Sequence, residues 1–154
     1  MDDRKVRVLF LCTGNACRSQ MAEGWARHLG GERVEARSAG LEAHGKNPRA
    51  IAVMAEAGVD IAGQESTVVN EAMLGWADRV VTVCGHADEH CPVLPPGVAK
   101  RHWPLDDPAR AGGDEQTVMA TFRETREAVR ERVAALLADL DAAAGSDRGG
   151  EGDA

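Results

Sequence analysis

The sequence predicts an α/β fold, a doubly wound parallel sheet with helices on both faces. Short apolar runs typical of buried strands alternate along the chain with segments whose apolar residues recur at helical spacing. Three segments with reactive or charged side chains each follow a predicted strand: Cys12–Ser19, Cys84–Cys91 and Asp106–Pro108. Because sites in open α/β sheets lie outside the carboxyl ends of the strands, these segments predict one shared site.

Four strands and four helices account for most of the chain. The first strand, Val6–Leu11, is almost continuously apolar and rich in β-forming residues. Asn47 is suited to cap a helix that has Pro48 at its first position. The other predicted strands are Arg33–Ser38, Arg79–Val83 and Val98–Trp103. The other predicted helices are Met21–Leu29, Val68–Gly75 and a long amphipathic one from Asp114 to about Leu140.

Length and composition exclude several classes of protein. With 154 residues the chain is long enough for one domain, predicted over residues 1–142, and a Gly- and Asp-rich tail over 143–154 is expected to be disordered. No apolar run approaches the roughly 20 residues of a membrane span. The net charge of −7 argues against a nucleic-acid partner. We expect no membrane or nucleic-acid partner, and a monomer.

The four cysteines are not expected to form a structural disulfide framework. The N-terminus leads directly into the first predicted strand and lacks the pattern of a secretory signal, so a cytoplasmic location is expected. In a reducing compartment, cysteines at suggestive spacings are more often catalytic or metal-binding than cross-linked. The cysteines are therefore the first functional lead.

The segment Cys12–Ser19 is predicted to form an anion-binding loop between the first strand and the first helix. Five residues separate Cys12 from Arg18, enough for successive backbone N–H groups to turn towards a tetrahedral oxyanion. The next helix adds the positive end of its dipole, and Arg18 can bind two oxygens at once. The predicted oxyanion-binding residues are Thr13, Gly14, Asn15, Ala16, Cys17, Arg18 and Ser19.

Cys12 is the predicted nucleophile of this loop. The positive field of the loop favours thiolate over thiol, which makes the sulfur reactive at neutral pH. Ser19 could donate its hydroxyl to that thiolate. Cys17 is given a structural role and no part in the chemistry. The alternative is a buried strand-end cysteine beside a surface arginine, which the surrounding strand, glycine and helix make less favoured.

The loop resembles that of low-molecular-weight protein tyrosine phosphatases. The similarity extends to thioredoxin-coupled arsenate reductases built on that phosphatase fold, through the run LFLCTGNACRSQMAEGW at residues 9–25. Further matching motifs occur in order over about residues 5–140: Ser38-Ala39-Gly40, Asn47-Pro48, Cys84–Pro92 and Asp106–Pro108. The resemblance implies a three-layer α/β/α fold with a four-stranded parallel sheet and the reduction of arsenate.

The resemblance also implies a relay of three cysteines. Cys12 attacks arsenate and forms a thiol–arsenate adduct. Cys84 attacks the Cys12 sulfur, so that arsenite leaves and a Cys12–Cys84 disulfide forms. Cys91 then attacks Cys84, which frees Cys12 and leaves a Cys84–Cys91 disulfide for thioredoxin to reduce. Phosphate and sulfate are expected to compete with arsenate.

Geometry adds a constraint to this relay. If Cys84 and Cys91 lie on one two-turn helix, their Cα atoms are about 10 Å apart. A disulfide needs Cα atoms about 4.4–6.8 Å apart. The segment must therefore unwind, and Gly85 and Pro92 suit a movable element. We predict a redox-driven order–disorder change that carries the second disulfide to the surface.

Other interpretations of the same residues stay open. Cys84, His86, His90 and Cys91 could form a zinc site, although the spacing matches no usual pattern, or the two thiols could be inert. The runner-up function is a phosphatase acting on small phosphomonoesters. A third is a non-catalytic redox- or metal-responsive binding protein that uses the Cys84–Cys91 segment.

The resemblance assigns a general acid and a cation site. Asp107, directly before Pro108, matches the Asp-Pro acid that protonates the leaving oxygen, and Asp106 is the fallback. Phosphatases carry Tyr after this Pro, but this chain has no Tyr, which favours a small inorganic oxyanion.

Some arsenate reductases bind potassium. Here Asn15, Glu23 and Ser38 match its ligands, but Thr67 replaces the expected carboxylate. No other cofactor or metal is expected.

Overall fold

A computed structural model of the chain describes the backbone of residues 5–153 and the side chains of residues 5–141. The strands are β1 (Val6–Cys12), β2 (Val34–Gly40), β3 (Arg79–Thr82) and β4 (Ala99–His102). The helices are α1 (Arg18–Gly30), α2 (Pro48–Glu56), α3 (Glu71–Trp76), α4 (Gly85–Glu89) and α5 (Glu115–Asp153). The predicted α/β class with a four-stranded parallel sheet is confirmed.

The sheet order is β2-β1-β3-β4, and all three pairings are parallel. The connection from β1 leads outwards to β2, whereas the later connections lead the other way, to β3 and β4. Right-handed crossovers therefore place helices on opposite faces of the sheet. The point where the direction reverses lies between β1 and β3, and ligands of such sheets bind outside the carboxyl ends of the strands at that point.

The apolar sequence of β1 matches its position in the centre of the core. Val8 to Leu11 are completely buried because helices cover both faces of this central strand. Helices α1 and α5 pack against each other, and α3 and α4 both contact β1. Phe122, Val129 and Val133 supply fully buried positions of α5, as its helical periodicity predicts. Within the described residues, no helix combines the length and apolarity that crossing a bilayer requires.

The short helix predicted over Val68–Gly75 begins later than expected. Asn70 caps α3, because its side chain accepts a hydrogen bond from the backbone N–H of Met73 at 2.8 Å. Val68 instead forms an isolated parallel bridge with Gly40. This bridge continues the line of β2 beside the anion loop, a long-range pairing that the local pattern does not reveal.

The predicted domain boundary lies at the end of the described side chains. Side chains from residue 142 onward lie outside the described residues, as do residues 1–4 and 154. The domain boundary at residue 142 and the disordered tail over 143–154 therefore stay predictions.

Candidate active site

The anion loop curls back onto the Cys12 sulfur. Strand β1 ends at Cys12, helix α1 begins at Arg18, and both side chains are largely buried. The backbone N–H of Asn15 donates to the Cys12 Sγ at 3.1 Å. Asn15 reaches this position with a φ of 50°, in the left-handed region that asparagine tolerates better than most residues. The loop conformation thus brings a backbone donor to the sulfur.

A chain of hydrogen bonds fixes the direction of the proton beside Cys12. The backbone N–H of Thr67 donates to the Asn15 Oδ1 at 2.8 Å, so the Asn15 Nδ2 faces Ser19 and donates to its Oγ at 2.8 Å. The Ser19 Oγ lies 2.9 Å from the Cys12 Sγ. Since Ser19 already accepts from Asn15, its single hydrogen is free to donate to the sulfur. A donor aimed at sulfur stabilises the thiolate.

The Arg18 guanidinium lies at the same loop and keeps an N–H donor available for a ligand. Its Nη1 donates to the main-chain oxygen of Leu105 at 2.9 Å, and its Nη2 lies 3.6 Å from the Asp107 Oδ2. The buried Nε has no hydrogen-bond partner in the described part of the chain. Unpaired buried donors are rare in folded proteins, so this atom indicates a ligand that accepts from it. A tetrahedral oxyanion held by the loop amides is such an acceptor.

The outer side of the loop is held by the segment that follows β2. The backbone N–H groups of Leu41, Glu42 and His44 donate to three successive loop carbonyls, at 2.8 to 3.1 Å. A Cβ added to Gly40 would lie 2.8 Å from the backbone nitrogen of Asn15, so this contact needs a glycine. The Ser-Ala-Gly motif therefore supports the loop rather than the anion directly.

Buried glutamines hold the inner side of the loop. The Gln20 Nε2 donates to the main-chain oxygen of Asn15 at 3.1 Å and to that of Glu65 at 2.9 Å. Gln64 in turn donates to the Gln20 Oε1 at 2.8 Å. Neither glutamine is part of a functional prediction from the sequence. Their burial and their contact follow only from the fold, which brings Gln64 to Gln20.

Cys84 lies just beyond the carboxyl end of β3, next to Cys12 at the end of β1. This is the point where the order of the strand connections reverses. Leu11 and Thr82 are register partners in β1 and β3, and Cys84 follows β3 by two residues. The Thr13 Oγ1 lies 3.3 Å from the Cys84 Sγ. Cys12, Arg18 and Cys84 all line one cavity of about 920 Å³. The structure therefore brings the first two predicted relay sulfurs into a common space.

Cys84 also caps the helix that leads to Cys91. Its Sγ accepts from the backbone N–H of Ala87 at 3.4 Å, at the start of α4. Helix α4 has only five residues and ends before Cys91, so it is shorter than the two-turn helix on which the spacing argument was based. Cys91 is half-buried, lies outside the residues that line the cavity, and burial raises the pKa of its thiol. All four cysteines are free.

The geometry of the described residues gives the zinc interpretation of this segment no support. Among the described residues, no group of three or more His, Cys, Asp or Glu side chains could hold a metal ion. The rings of His86 and His90 do lie 4.4 Å apart, one helical turn from each other. However, Cys84 and Cys91 at the two ends of α4 do not join them in one cluster, because the helix separates its ends.

Asp107 and Asp106 lie at the cavity rim but differ in their surroundings. Asp107 faces Arg18 and caps a short 3-10 turn over Pro108–Arg110, accepting from the backbone N–H of Ala109 at 2.9 Å. Asp106 also lines the cavity, but it is more exposed and no hydrogen bond to its carboxylate is recorded within residues 5–141. Of the two, Asp107 is the one held next to the anion-binding arginine.

Cys17 lies in surroundings that strongly oppose ionisation of its thiol. Burial raises the pKa of its thiol to about 12, and the nearby Asp107 carboxylate adds to the shift. The thiol therefore stays protonated at neutral pH, where a protonated thiol is a poor nucleophile. This agrees with a structural role for its side chain, while its backbone belongs to the anion loop.

The potassium ligands implied by the resemblance do not fit the ion as they are placed. The Glu23 carboxylate is buried; it pairs with the Arg27 guanidinium and accepts from the Ser38 hydroxyl at 2.5 Å. Burial raises the pKa of Glu23, while Ser38 and Arg27 oppose that shift. The Asn15 Oδ1 accepts from the Thr67 N–H. The Arg27 guanidinium thus already supplies a positive charge to the Glu23 carboxylate.

Three basic side chains of the cavity wall have no counterpart in the sequence predictions. His44, Lys46 and Arg110 line the cavity, although no sequence motif includes them. The His44 ring covers Gly14 so closely that a Cβ there would lie 2.2 Å from the His44 Nδ1. No local sequence pattern marks these residues. The segment that carries His44 and Lys46 reaches the cavity through its hydrogen bonds to the anion loop, and Arg110 reaches it from the turn that follows Asp107.

Comparison with known proteins agrees with this geometry. Residues 7–145 match the family described as low molecular weight phosphotyrosine protein phosphatase. The chain belongs to this family. Among its relatives, an arsenate reductase of Bacillus subtilis (strain 168) is 49% identical over 126 residues, which cover 82% of this chain and 91% of that protein. The match to arsenate reductases within the phosphatase family confirms the resemblance seen in the sequence.

Solved structures of the family include similar arsenate reductases. One, described as an arsenate reductase in the phosphate binding state, is 38% identical with a TM-score of 0.72, covering 87% of this chain and 98% of that one. Another is a thioredoxin-dependent arsenate reductase of Corynebacterium glutamicum, 29% identical with a TM-score of 0.74, covering 93% of this chain and 65% of that one. This member of the phosphatase family therefore shares its fold with arsenate reductases.

Proposed function

We propose that this phosphatase-family enzyme reduces arsenate to arsenite through Cys12, Cys84 and Cys91 and is regenerated by thioredoxin in the cytoplasm. One observation carries the proposal: a second free thiol, Cys84, lies at the strand end beside the nucleophile and lines the same cavity. A hydrolytic phosphatase needs one cysteine, whereas reduction of arsenic from the +5 to the +3 state needs two electrons. A pair of thiols that becomes a disulfide supplies both.

In the first step the Cys12 thiolate attacks arsenic and a hydroxide or water leaves. Ser19 and the Asn15 N–H hold the sulfur before attack. The Arg18 guanidinium and the loop amides hold the oxygens of the anion. Asp107, at the rim beside Arg18, is the acid that gives a proton to the leaving oxygen.

In the second step Cys84 attacks the Cys12 sulfur. The As–S bond breaks, its electron pair leaves with arsenite, and a Cys12–Cys84 disulfide forms. Cys91 then attacks the Cys84 sulfur, so that Cys12 leaves as a thiolate. Since Cys91 lies beyond the end of α4 and outside the cavity wall, this third step requires α4 to unwind. The Cys84–Cys91 disulfide is then the bond offered to thioredoxin.

A coupled assay tests the proposal. The protein is mixed with arsenate, thioredoxin, thioredoxin reductase and NADPH, and the loss of NADPH is followed. Arsenate-dependent oxidation is expected, and it should disappear in Cys84→Ser and in Cys91→Ser. Cys17→Ser is the matched control and should retain turnover, because the Cys17 thiol stays protonated.

Other outcomes would support the competing functions. If arsenate drives no NADPH oxidation while Cys84→Ser and Cys91→Ser hydrolyse an aryl phosphate normally, the protein is a phosphatase and not a reductase. If Cys12→Ser leaves a redox response intact, the Cys84–Cys91 segment acts as a sensor without the anion loop. Replacing thioredoxin by glutathione and a glutaredoxin identifies the reductant, and turnover only in that mixture would contradict the thioredoxin part of the proposal.

A further inference from the structure

A second polar cluster lies on the far end of α4, outside the anion cavity. Lys100, on the edge strand β4, places its Nζ 2.6 Å from the Asp88 Oδ1 and 3.4 Å from the Asp88 main-chain oxygen. The Thr82 Oγ1 donates to the same carboxylate oxygen at 3.3 Å and lies 2.8 Å from the His102 Nδ1. None of these four residues lines the cavity, and the proposed relay uses none of them.

Helix α4 is short, although it also contacts β1 and β3. The helix is five residues long, and Ala87 is its one buried residue. At the start of α4, the Cys84 sulfur accepts from the Ala87 N–H and caps the helix. This cap is lost or weakened when the proposed relay places Cys84 in a disulfide. After that step the Asp88–Lys100 pair is the main polar contact that still holds α4 against β4. A helix this short does not persist without such contacts.

Lys100 also acts on the thiol that must react next. Cys91 follows Asp88 by three residues and lies two residues beyond the end of α4. Burial raises the pKa of Cys91, the positive charge of Lys100 lowers it, and the negative charge of Asp88 raises it. The ammonium group that pairs with Asp88, and lies 3.4 Å from the Asp88 main-chain oxygen near the end of α4, therefore also favours ionisation of the Cys91 thiol.

We propose that Lys100 is a positioning residue with two successive partners. In the reduced protein it pairs with Asp88 and latches α4 in place, and once α4 unwinds it stabilises the Cys91 thiolate. This inference rests on the proposed function. The step it assists is balanced: Cys91 gives its proton to solvent, its sulfur bonds to the Cys84 sulfur, the Cys12–Cys84 bond breaks, and Cys12 leaves as a thiolate.

The first test uses the reduced protein without arsenate. The alkylation rate of Cys91 by iodoacetamide is measured against pH by peptide mass spectrometry. The profile is fitted over a pH range of about 7 to 10, in which Lys100 keeps its charge because Asp88 raises its pKa. The fitted plateau reports access to Cys91, and the midpoint reports its ionisation. The charged groups acting on this thiol are Lys100 from β4 and Asp88 from α4. Opening the latch should raise the plateau about two- to fivefold in both Asp88→Asn and Lys100→Gln, the range expected for a partly exposed ion pair.

The midpoint separates the two roles of Lys100. Asp88→Asn removes a negative charge, so the midpoint should move to lower pH. Lys100→Gln removes the positive charge, so it should move to higher pH, and Lys100→Arg should restore it. Arg101→Gln is the matched control. Arg101 is the next residue of β4 and pairs with Asp139 of α5 at 2.9 Å, so both plateau and midpoint should stay as in wild type.

An unchanged plateau in both latch variants would refute the latch. Midpoints that move in the same direction in Asp88→Asn and Lys100→Gln would refute the shared cation. Neither result depends on arsenate, so both are independent of the proposed function.

The second test follows one turnover with arsenate by rapid quenching and disulfide mapping. Lys100→Gln should convert Cys12–Cys84 into Cys84–Cys91 about two- to fivefold more slowly than Asp88→Asn, which also lacks the latch but keeps the Lys100 charge, while the first disulfide forms at the same rate in both. Equal conversion rates in these two variants would overturn the role in the third step. If the wild type forms no Cys12–Cys84 disulfide, the reductase proposal itself fails, while the alkylation profiles still decide the latch and the charge effect.

Discussion

The Cys12 sulfur and the Ser19 hydroxyl lie 2.9 Å apart, and because Ser19 accepts from Asn15 its own hydrogen is left to donate to the sulfur. The direction of this hydrogen bond depends on Asn15 and Thr67. The Thr67 N–H donates to the Asn15 Oδ1, so the Asn15 amide nitrogen faces Ser19 and donates to its hydroxyl. The nucleophile is therefore prepared by a chain of oriented dipoles that is complete before any anion binds. Such preorganisation reduces the rearrangement needed when the sulfur attacks.

Ser19→Ala should leave the fold intact but make Cys12 less reactive. The sulfur loses one of its two donors, and a hydrogen bond to a charged group contributes about 1.5–3 kcal/mol, equivalent to roughly a 10- to 100-fold loss in rate. Alkylation of Cys12 by iodoacetamide at pH 7 measures the effect. Thr121→Ala, which removes an exposed hydroxyl from α5, is the control. A Cys12 rate unchanged in Ser19→Ala would contradict the direction assigned to the hydrogen bond.

Arg18→Lys should weaken anion binding although the charge is kept. The guanidinium spans Leu105 and Asp107 and leaves its buried Nε for the ligand, whereas an ammonium group cannot present parallel donors to two oxygens. Titration with phosphate by calorimetry should show a dissociation constant increased by about tenfold or more. A matched conservative change is Arg101→Lys on β4, which should bind phosphate as the wild type does. Equal affinity in the two variants would show that charge alone holds the anion.

The parts of this site that sequence could predict are those built from neighbouring residues. Cys12 ends β1, and Arg18 and Ser19 begin α1. The anion loop and the positive end of the helix dipole therefore come from eight consecutive residues. His44, Gln64 and Lys100 reach their partners only through the fold, and no local pattern marks them. The length of α4 was also missed, because the side chains that hold it come from β3 and β4.

Asp107→Asn should slow the chemical step more than it weakens binding. Protonation of the leaving oxygen is required only in the transition state, and general acids contribute about 100-fold or more to such steps. We expect kcat in the coupled assay to fall by about that factor with a small change in KM. Asp106→Asn is the matched control, since Asp106 lines the same rim without facing Arg18. If both variants lose activity equally, the acid is not Asp107 alone.

Cys17 should be the slowest of the four cysteines to react. Burial and the Asp107 carboxylate raise the pKa of its thiol to about 12, so the thiolate is scarce at any pH where the protein is assayed. Mass spectrometry after timed exposure to iodoacetamide at pH 8 should find Cys17 unmodified when Cys12 is fully alkylated. Raising the pH from 8 to 10 should increase its rate in proportion to hydroxide, because both values lie below the pKa. Rapid modification of Cys17 at pH 8 would disprove the assignment.

Potassium should neither stabilise nor activate the wild-type protein. The buried Glu23 carboxylate already has Arg27 and Ser38 as partners, which leaves little demand for a second cation. The melting temperature should therefore be the same in potassium chloride and in choline chloride at equal ionic strength. Arg27→Gln should lower it, because an uncompensated buried carboxylate is costly, and potassium should then restore part of the loss. Arg33→Gln, which breaks an exposed pair with Asp141, serves as control. A wild-type melting temperature that rises with potassium would show that the ion displaces or supplements Arg27.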